Sequence, residues 1–240
     1  MSQYDPPRIF DGSVATEQVG VNRFIANVFS WMVAGLAVTA LTAWYFAASG
    51  AIQALYTDTG MSALGWLVML APIGFILAMN LGFHRWSSSA ITMLFFAFSV
   101  VMGMSLSSIF IVYTASSLFQ VFMIAASTFG VMAVVGYTTS TDLTRFGSLL
   151  GMALIGILIA SLVNIWLGSS GLDFIISILG VLIFTGLIAY DTQKLKRIGM
   201  GVEYGTAPAT KLAILGATSL YLDFINLFLF LLRLFGGKRE

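Results

Sequence analysis

The chain has 240 residues, 59% of them hydrophobic and 9% charged, with a mean hydropathy of +0.97 and a formal net charge of +1. Soluble domains carry about 25% charged residues, so this composition excludes a soluble globular fold and defines an integral membrane protein. The balanced charge, with no basic run, offers no footing for nucleic acid, and the absence of cysteine excludes disulfides, thiol catalysis and thiolate metal sites.

Residues 1–22, "MSQYDPPRIFDGSVATEQVGVN", are polar and contain Pro and Gly. They lack the basic start and apolar core of a signal peptide and are expected to form a cytoplasmic tail. The remainder, 23–240, reads as one transmembrane domain. A helix needs about 20 apolar residues to cross the hydrocarbon layer. Seven runs meet that length: Phe24–Ala48, Leu64–Phe83, Ala90–Tyr113, Leu118–Thr139, Phe146–Leu167, Phe174–Tyr190 and Leu212–Phe235. None alternates as a barrel strand does. The fold class is therefore all-α, with seven membrane-spanning helices.

Within the runs, Pro72 is expected to kink the second span, and Asn80 and Asn164 to bond across helices. Gly147 and Gly151 form a small-xxx-small pattern, read as packing inside the fold. With the N-terminus in the cytoplasm, Arg8, Arg23, Arg85, Arg145, Lys194, Lys196, Arg197 and Lys211 all fall inside, and the three outer loops hold no Lys or Arg. This is the positive-inside pattern. Arg233, Lys238 and Arg239 then lie outside if the seventh span crosses fully, which its length favours over re-entry.

Of ten acidic residues, eight fall in tails, loops or helix ends. Asp142 and Arg145, three apart in "TDLTR", are expected to pair at a cytoplasmic turn. Two acids remain in or at the edge of the apolar layer. Asp191 closes "LIFTGLIAYD" near the inner face, where it is either an interfacial carboxylate beside Lys194 or half of a site. Asp223 is the only charge between Leu212 and Leu232. It lies roughly 18 Å along the helix from Lys211, at 1.5 Å per residue. An intramembrane carboxylate normally faces the bundle interior and marks a pathway or relay.

At about 100° per residue, Ser219, Asp223, Asn226, Phe230 and Arg233 share one narrow arc of the seventh span. This stripe should place the seventh span centrally, facing the sixth span and Asp191. Two carboxyl groups brought together there would titrate as a unit and share a proton. Once ionised, they offer a hard cation such as calcium a sparse set of oxygen ligands, with Ser219 and Asn226 nearby. A basic latch could compete for them, and sidedness makes Arg85 and His84 the candidates.

The segments "FTGLIAYDTQKLK" (184–196) and "ATSLYLDFINLFLFLLRLFG" (217–236) resemble the closing signature of the Bax inhibitor-1 family of transmembrane proteins. "VYTASS", "GYTTSTDLTRFG" and "IASLVNIW" (159–166) resemble its bacterial members, and the likeness runs from Phe24 to near the end of the chain. The resemblance implies a last helix wrapped by the other six. It also implies an aspartate pair, here Asp191 and Asp223, acting as a pH-sensitive gate for calcium leak in a bacterial inner membrane. Arg233 matches the arginine of the terminal "LLR" motif. Its helix 2 partner in some members has no counterpart here, because no acid occurs from Met61 to Thr141. The connection between the last two spans looks long.

The alternative class is a regulator that binds a membrane protease or stress-response complex through the N-terminal tail. An enzyme is not expected. Intramembrane aspartyl proteases also use a Tyr-Asp and a second Asp, but Asp223 follows "LYL" rather than Gly-x-Gly, and no Pro follows Pro208. His84 is the only histidine, which removes histidine-based metal sites and serine triads. No cofactor is expected; calcium, protons and the bilayer are the expected partners.

Overall fold

The structure is a computed structural model that describes residues 11–58 and 60–239, with side chains described from Gln18 onward. Residues 1–10 of the expected tail, including Asp5 and Arg8, lie outside the described residues, as do Glu240 and the side chains of Asp11 and Glu17. Eight helices follow one another: α1 (Asp11–Ala48), α2 (Ala63–Gly82), α3 (Ser88–Leu106), α4 (Ile109–Val112), α5 (Ala115–Thr138), α6 (Thr144–Leu167), α7 (Ser170–Met200) and α8 (Ala207–Phe235). Helices α3 and α4 are two parts of one span, broken where the Ser107 hydroxyl donates to the Met104 carbonyl at 2.6 Å. Among the described residues, seven helical spans are thus long and apolar enough to cross a membrane.

In hydrocarbon every backbone polar group must find a partner inside the protein, so helix ends are where the sequence must supply one. Ser62, Ser87, Thr114, Ser169 and Thr206 each accept a backbone N–H at the start of a helix. Gly168 ends α6 in the left-handed region at φ 60°, and the Asn164 side chain accepts the next N–H at 3.1 Å. Asn80 donates to the Ile76 carbonyl of its own helix at 2.8 Å. The expectation that Asn80 and Asn164 bond across helices is thereby corrected: both serve their own helix. Pro72 is buried inside α2, which continues through it.

Two boundaries differ from the sequence reading in ways that matter for the site. Helix α1 begins at Asp11, so residues 11–22 of the expected tail are helical; Val21 is buried, and Phe24 lies against Gly199 of α7. Helix α7 runs to Met200, ten residues past its expected end at Tyr190. "TQKLKR" is good helix-forming sequence, and within it Leu195 is buried while Lys194 and Arg197 face outward. With α8 starting at Ala207, the connection that looked long is only 201–206.

Helix α8 is the axis of the bundle. It packs on α7, α1, α5, α3 and α2, and 67% of its span is buried, against 17% for α6. Helix α6 lies farthest out: it packs mainly on α7 and reaches α8 only where Phe230 packs beside Leu150 and Ile157. Gly147 lies under the Tyr190 ring of α7, as internal packing requires, whereas Gly151 faces open space. Helix α8 also crosses the whole bundle. Near its start Lys211 donates to the Phe83 carbonyl at 2.9 Å. Beyond its end, the Thr114 N–H donates to the Gly237 carbonyl at 3.1 Å and the Arg239 N–H to the Val112 carbonyl at 2.9 Å. Helix α8 thus meets the α2–α3 connection near its start, and the end of α4 and the segment after it beyond its own end.

Candidate functional site

The site forms where α7 and α8 approach most closely, and small residues permit that approach. A Cβ on Gly216 would sit 2.3 Å from Leu195, and one on Gly180 would sit 2.6 Å from the Phe230 ring. Between these two points α7 presents Asp191 and α8 presents Asp223. The two carboxyl groups face each other closely enough for each to act on the other, and Lys194, three residues along α7, also acts on Asp191. Asp223 is buried, 6% exposed, and its Oδ2 has no hydrogen-bond partner among the described residues.

A cavity of about 190 Å³ reaches Asp191 from the end of the bundle where α7 and α8 are joined; Asp223 does not line it. Asp191, Lys194, Asn80, Thr218 and Ser219 supply its polar lining, with Leu222 on the same wall. Ser219, on the predicted stripe, therefore lies in the same space as Asp191. Beyond Asp223 the core is closed by rings: Phe224 packs on Phe129 at 5.8 Å between centroids, and Phe184 stacks on Phe230 at 5.9 Å. Tyr221 anchors α8 from the other side, bonding Thr39 of α1 at 2.7 Å while Thr39 donates to the Ser99 carbonyl of α3 at 2.8 Å.

The stripe faces α7 along its length. Phe230 fills the space at Gly180, and Arg233 meets Asp173 in the first turn of α7 at 3.6 Å. Asn226 donates to the Leu222 carbonyl of its own helix at 2.8 Å. Arg85 and His84, the residues expected as a latch, are exposed, and among the described residues Arg85 makes no ion pair; Lys194 lines the cavity with Asp191. Asp173 as the partner of Arg233 escaped the sequence reading, because it fell in the outer loop just before the span expected from Phe174.

A second polar cluster lies on the opposite side of the α7 extension. Gln193 accepts the Leu143 N–H at 2.9 Å and donates to the Thr141 carbonyl at 2.7 Å. Arg197 binds Asp142, Thr144 and Gln193. The expected Asp142–Arg145 pair is thus replaced by Asp142–Arg197, which ties the 139–143 turn to α7. The Thr144 hydroxyl and backbone N–H, followed by Arg197, hold the Asp142 carboxyl well below the ordinary carboxylate range.

A seven-span bundle with a buried acid on α8 facing a partly buried acid on α7 defines a multi-pass membrane protein with a polar site inside its helical bundle. The family model described as inhibitor of apoptosis-promoting Bax1 matches residues 21–240. The chain is 45% identical to the inner membrane protein YbhL of Escherichia coli over 95% of its own length and 97% of that protein. It is 41% identical to an uncharacterized protein of Rickettsia prowazekii, covering 92% of each chain, and 36% identical to one of Deinococcus radiodurans at the same coverage. The chain belongs to the Bax inhibitor-1 family.

Proposed function

We propose that this protein is a passive, proton-sensitive calcium leak of a bacterial inner membrane, gated by Asp191 and Asp223. The observation that carries the proposal is the buried Asp223 carboxyl, one oxygen without a partner among the described residues, facing Asp191, which in turn lines the cavity between α7 and α8. In the closed state the pair holds a proton, which keeps α7 and α8 together above a core shut by aromatic rings. Loss of that proton leaves two like charges in a poorly solvated place, where their repulsion is strong. Separation of α7 from α8 relieves it, and a calcium ion entering the cavity finds carboxylate, hydroxyl and amide oxygens. Among the described residues no group of three or more His, Cys, Asp or Glu gathers, so the set suits passage rather than tight storage.

Sidedness follows from charge. Arg23, Arg85, Arg145, Lys194, Lys196, Arg197 and Lys211 cluster at the end where the cavity opens, which is therefore assigned to the cytoplasm. The chain then begins in the cytoplasm and ends in the periplasm. The leak needs no cofactor and no catalytic step. Purified protein in liposomes tests it: Asp223→Asn should abolish the rise of calcium flux with pH. Unchanged flux and pH dependence would sink the leak and leave the regulator of a membrane protease as the better reading.

A further inference from the structure

Helices α1 and α5 both pack on α8, yet they meet each other through long side chains rather than through apposed backbones. Phe29 touches Phe129 edge-on at 6.2 Å, and Tyr137 donates its hydroxyl to Asn22. Between them runs a groove of about 670 Å³, open to the side. Its walls include Ile25 and Val33 of α1 and Ala133 and Val134 of α5. Farther along it narrows to a hollow of about 300 Å³ floored by Phe224 of α8. The wider part follows α1 from Asn22 to Val33, about 16 Å of helix. That is the depth of one leaflet in a hydrocarbon core of about 30 Å.

The two ends differ in chemistry. At the wide mouth Lys196 stands 4.8 Å from the Tyr137 ring centre and donates to the Tyr137 carbonyl at 2.8 Å. Arg23, exposed, follows Asn22 on α1. No acidic side chain lines the groove among the described residues. A partner helix, about 10 Å across, does not suit the taper toward Ala40. A single acyl chain beneath an anionic headgroup suits both the taper and the basic mouth.

We propose that this groove binds one anionic phospholipid, its acyl chain lying between α1 and α5 and its phosphate beside Lys196 and Arg23. Phe224 follows Asp223, so the chain end rests one residue from the candidate gate. This site stands or falls independently of calcium conduction.

The test uses the full chain in detergent, offered equal amounts of phosphatidylglycerol and phosphatidylcholine carrying photoactivatable acyl chains. Bound lipid is counted by native mass spectrometry, and labelled peptides are identified. The wild type should retain the anionic lipid about fivefold over the neutral one, the preference that one basic side chain gives for an anionic surface. Its label should fall on α1 and α5. Gly130 lines the groove and has open space where a Cβ would stand, so Gly130→Trp fills it without displacing protein atoms. That variant should keep its melting temperature and lose the label about fivefold or more. Val33→Trp, at an exposed position on the opposite wall, repeats the test should the first variant not fold. Lys196→Gln with Arg23→Gln should keep the label and lose the headgroup preference. Label persisting in a folded groove-filled variant overturns the site. Equal retention of the two lipids by the wild type, or crosslinks joining two copies across α1 and α5, overturns it as well.

Discussion

Two carboxylates on either side of α7 show how surroundings decide what an acid does. Asp142 sits in an exposed turn, its side chain 70% accessible, and receives hydrogen bonds from Thr144 and Arg197. Every lone pair has a donor or water at hand, so the charge is easy to keep and its work is to fasten a turn to a helix. Asp223 is buried on the bundle axis, has an oxygen with no partner, and faces another acid. A buried charge without a cation is expensive, and its protonation state is coupled to whatever separates it from its neighbour. Asp142 therefore acts as a clamp, and Asp223 is the acid proposed above as the switch.

The largest expected effect comes from neutralising the switch. In liposomes, Asp223→Asn should remove at least about tenfold of the difference in calcium flux between acidic and alkaline conditions, the effect of a single unit of pKa. Flux that still rises with pH in this variant erases the distinction between the two acids. Next comes the approach of the two helices. Gly216→Val places atoms where Leu195 already stands. It should cost about 1–3 kcal/mol of stability, as overpacking does, and raise basal flux by holding α7 off α8. A stable, silent variant would show that the close approach has no part in closure.

Smaller effects sharpen the clamp side. The Asp142 carboxyl is held below its ordinary range, so its contribution is complete above that range and is lost only as pH falls through the lowered value. Chemical denaturation between pH 5 and 8 should therefore give Asp142→Asn a small stability loss that is the same at each pH. A loss that grows or vanishes across that interval would mean that Asp142 titrates with the switch. The smallest effect belongs to Arg233 and Asp173, a half-exposed pair at 3.6 Å. Asp173→Asn should cost about 0.5 kcal/mol at low salt and nothing measurable at high salt. A larger, salt-resistant cost would make that pair part of the gate.

The spans and the acid pair were legible because both rest on strong constraints. A membrane demands length and apolarity, and Asp223 is costly in such a run, so its position on the bundle axis beside Asp191 could be read from one helical wheel. Proximity at the helix ends was not legible. Positive-inside counting puts Arg85 and Lys194 on the same side, and Lys194 could be read beside Asp191, but only the continuation of α7 beyond Tyr190 shows that both line one cavity, from which Arg85 is absent. The same continuation takes Arg197 to Asp142 and leaves Arg145 unused in that turn. The outer place of α6 was hidden because its lipid-facing and protein-facing sides are equally apolar, so the sequence carries no stripe to orient it.

The most direct measurement is calcium flux into liposomes across pH 5 to 8 for the wild type, Asp191→Asn and Asp142→Asn side by side. Flux should rise with pH in the wild type, keep the same midpoint in Asp142→Asn, and lose its pH dependence in Asp191→Asn. A wild-type pH profile preserved in Asp191→Asn would contradict gating by the buried pair.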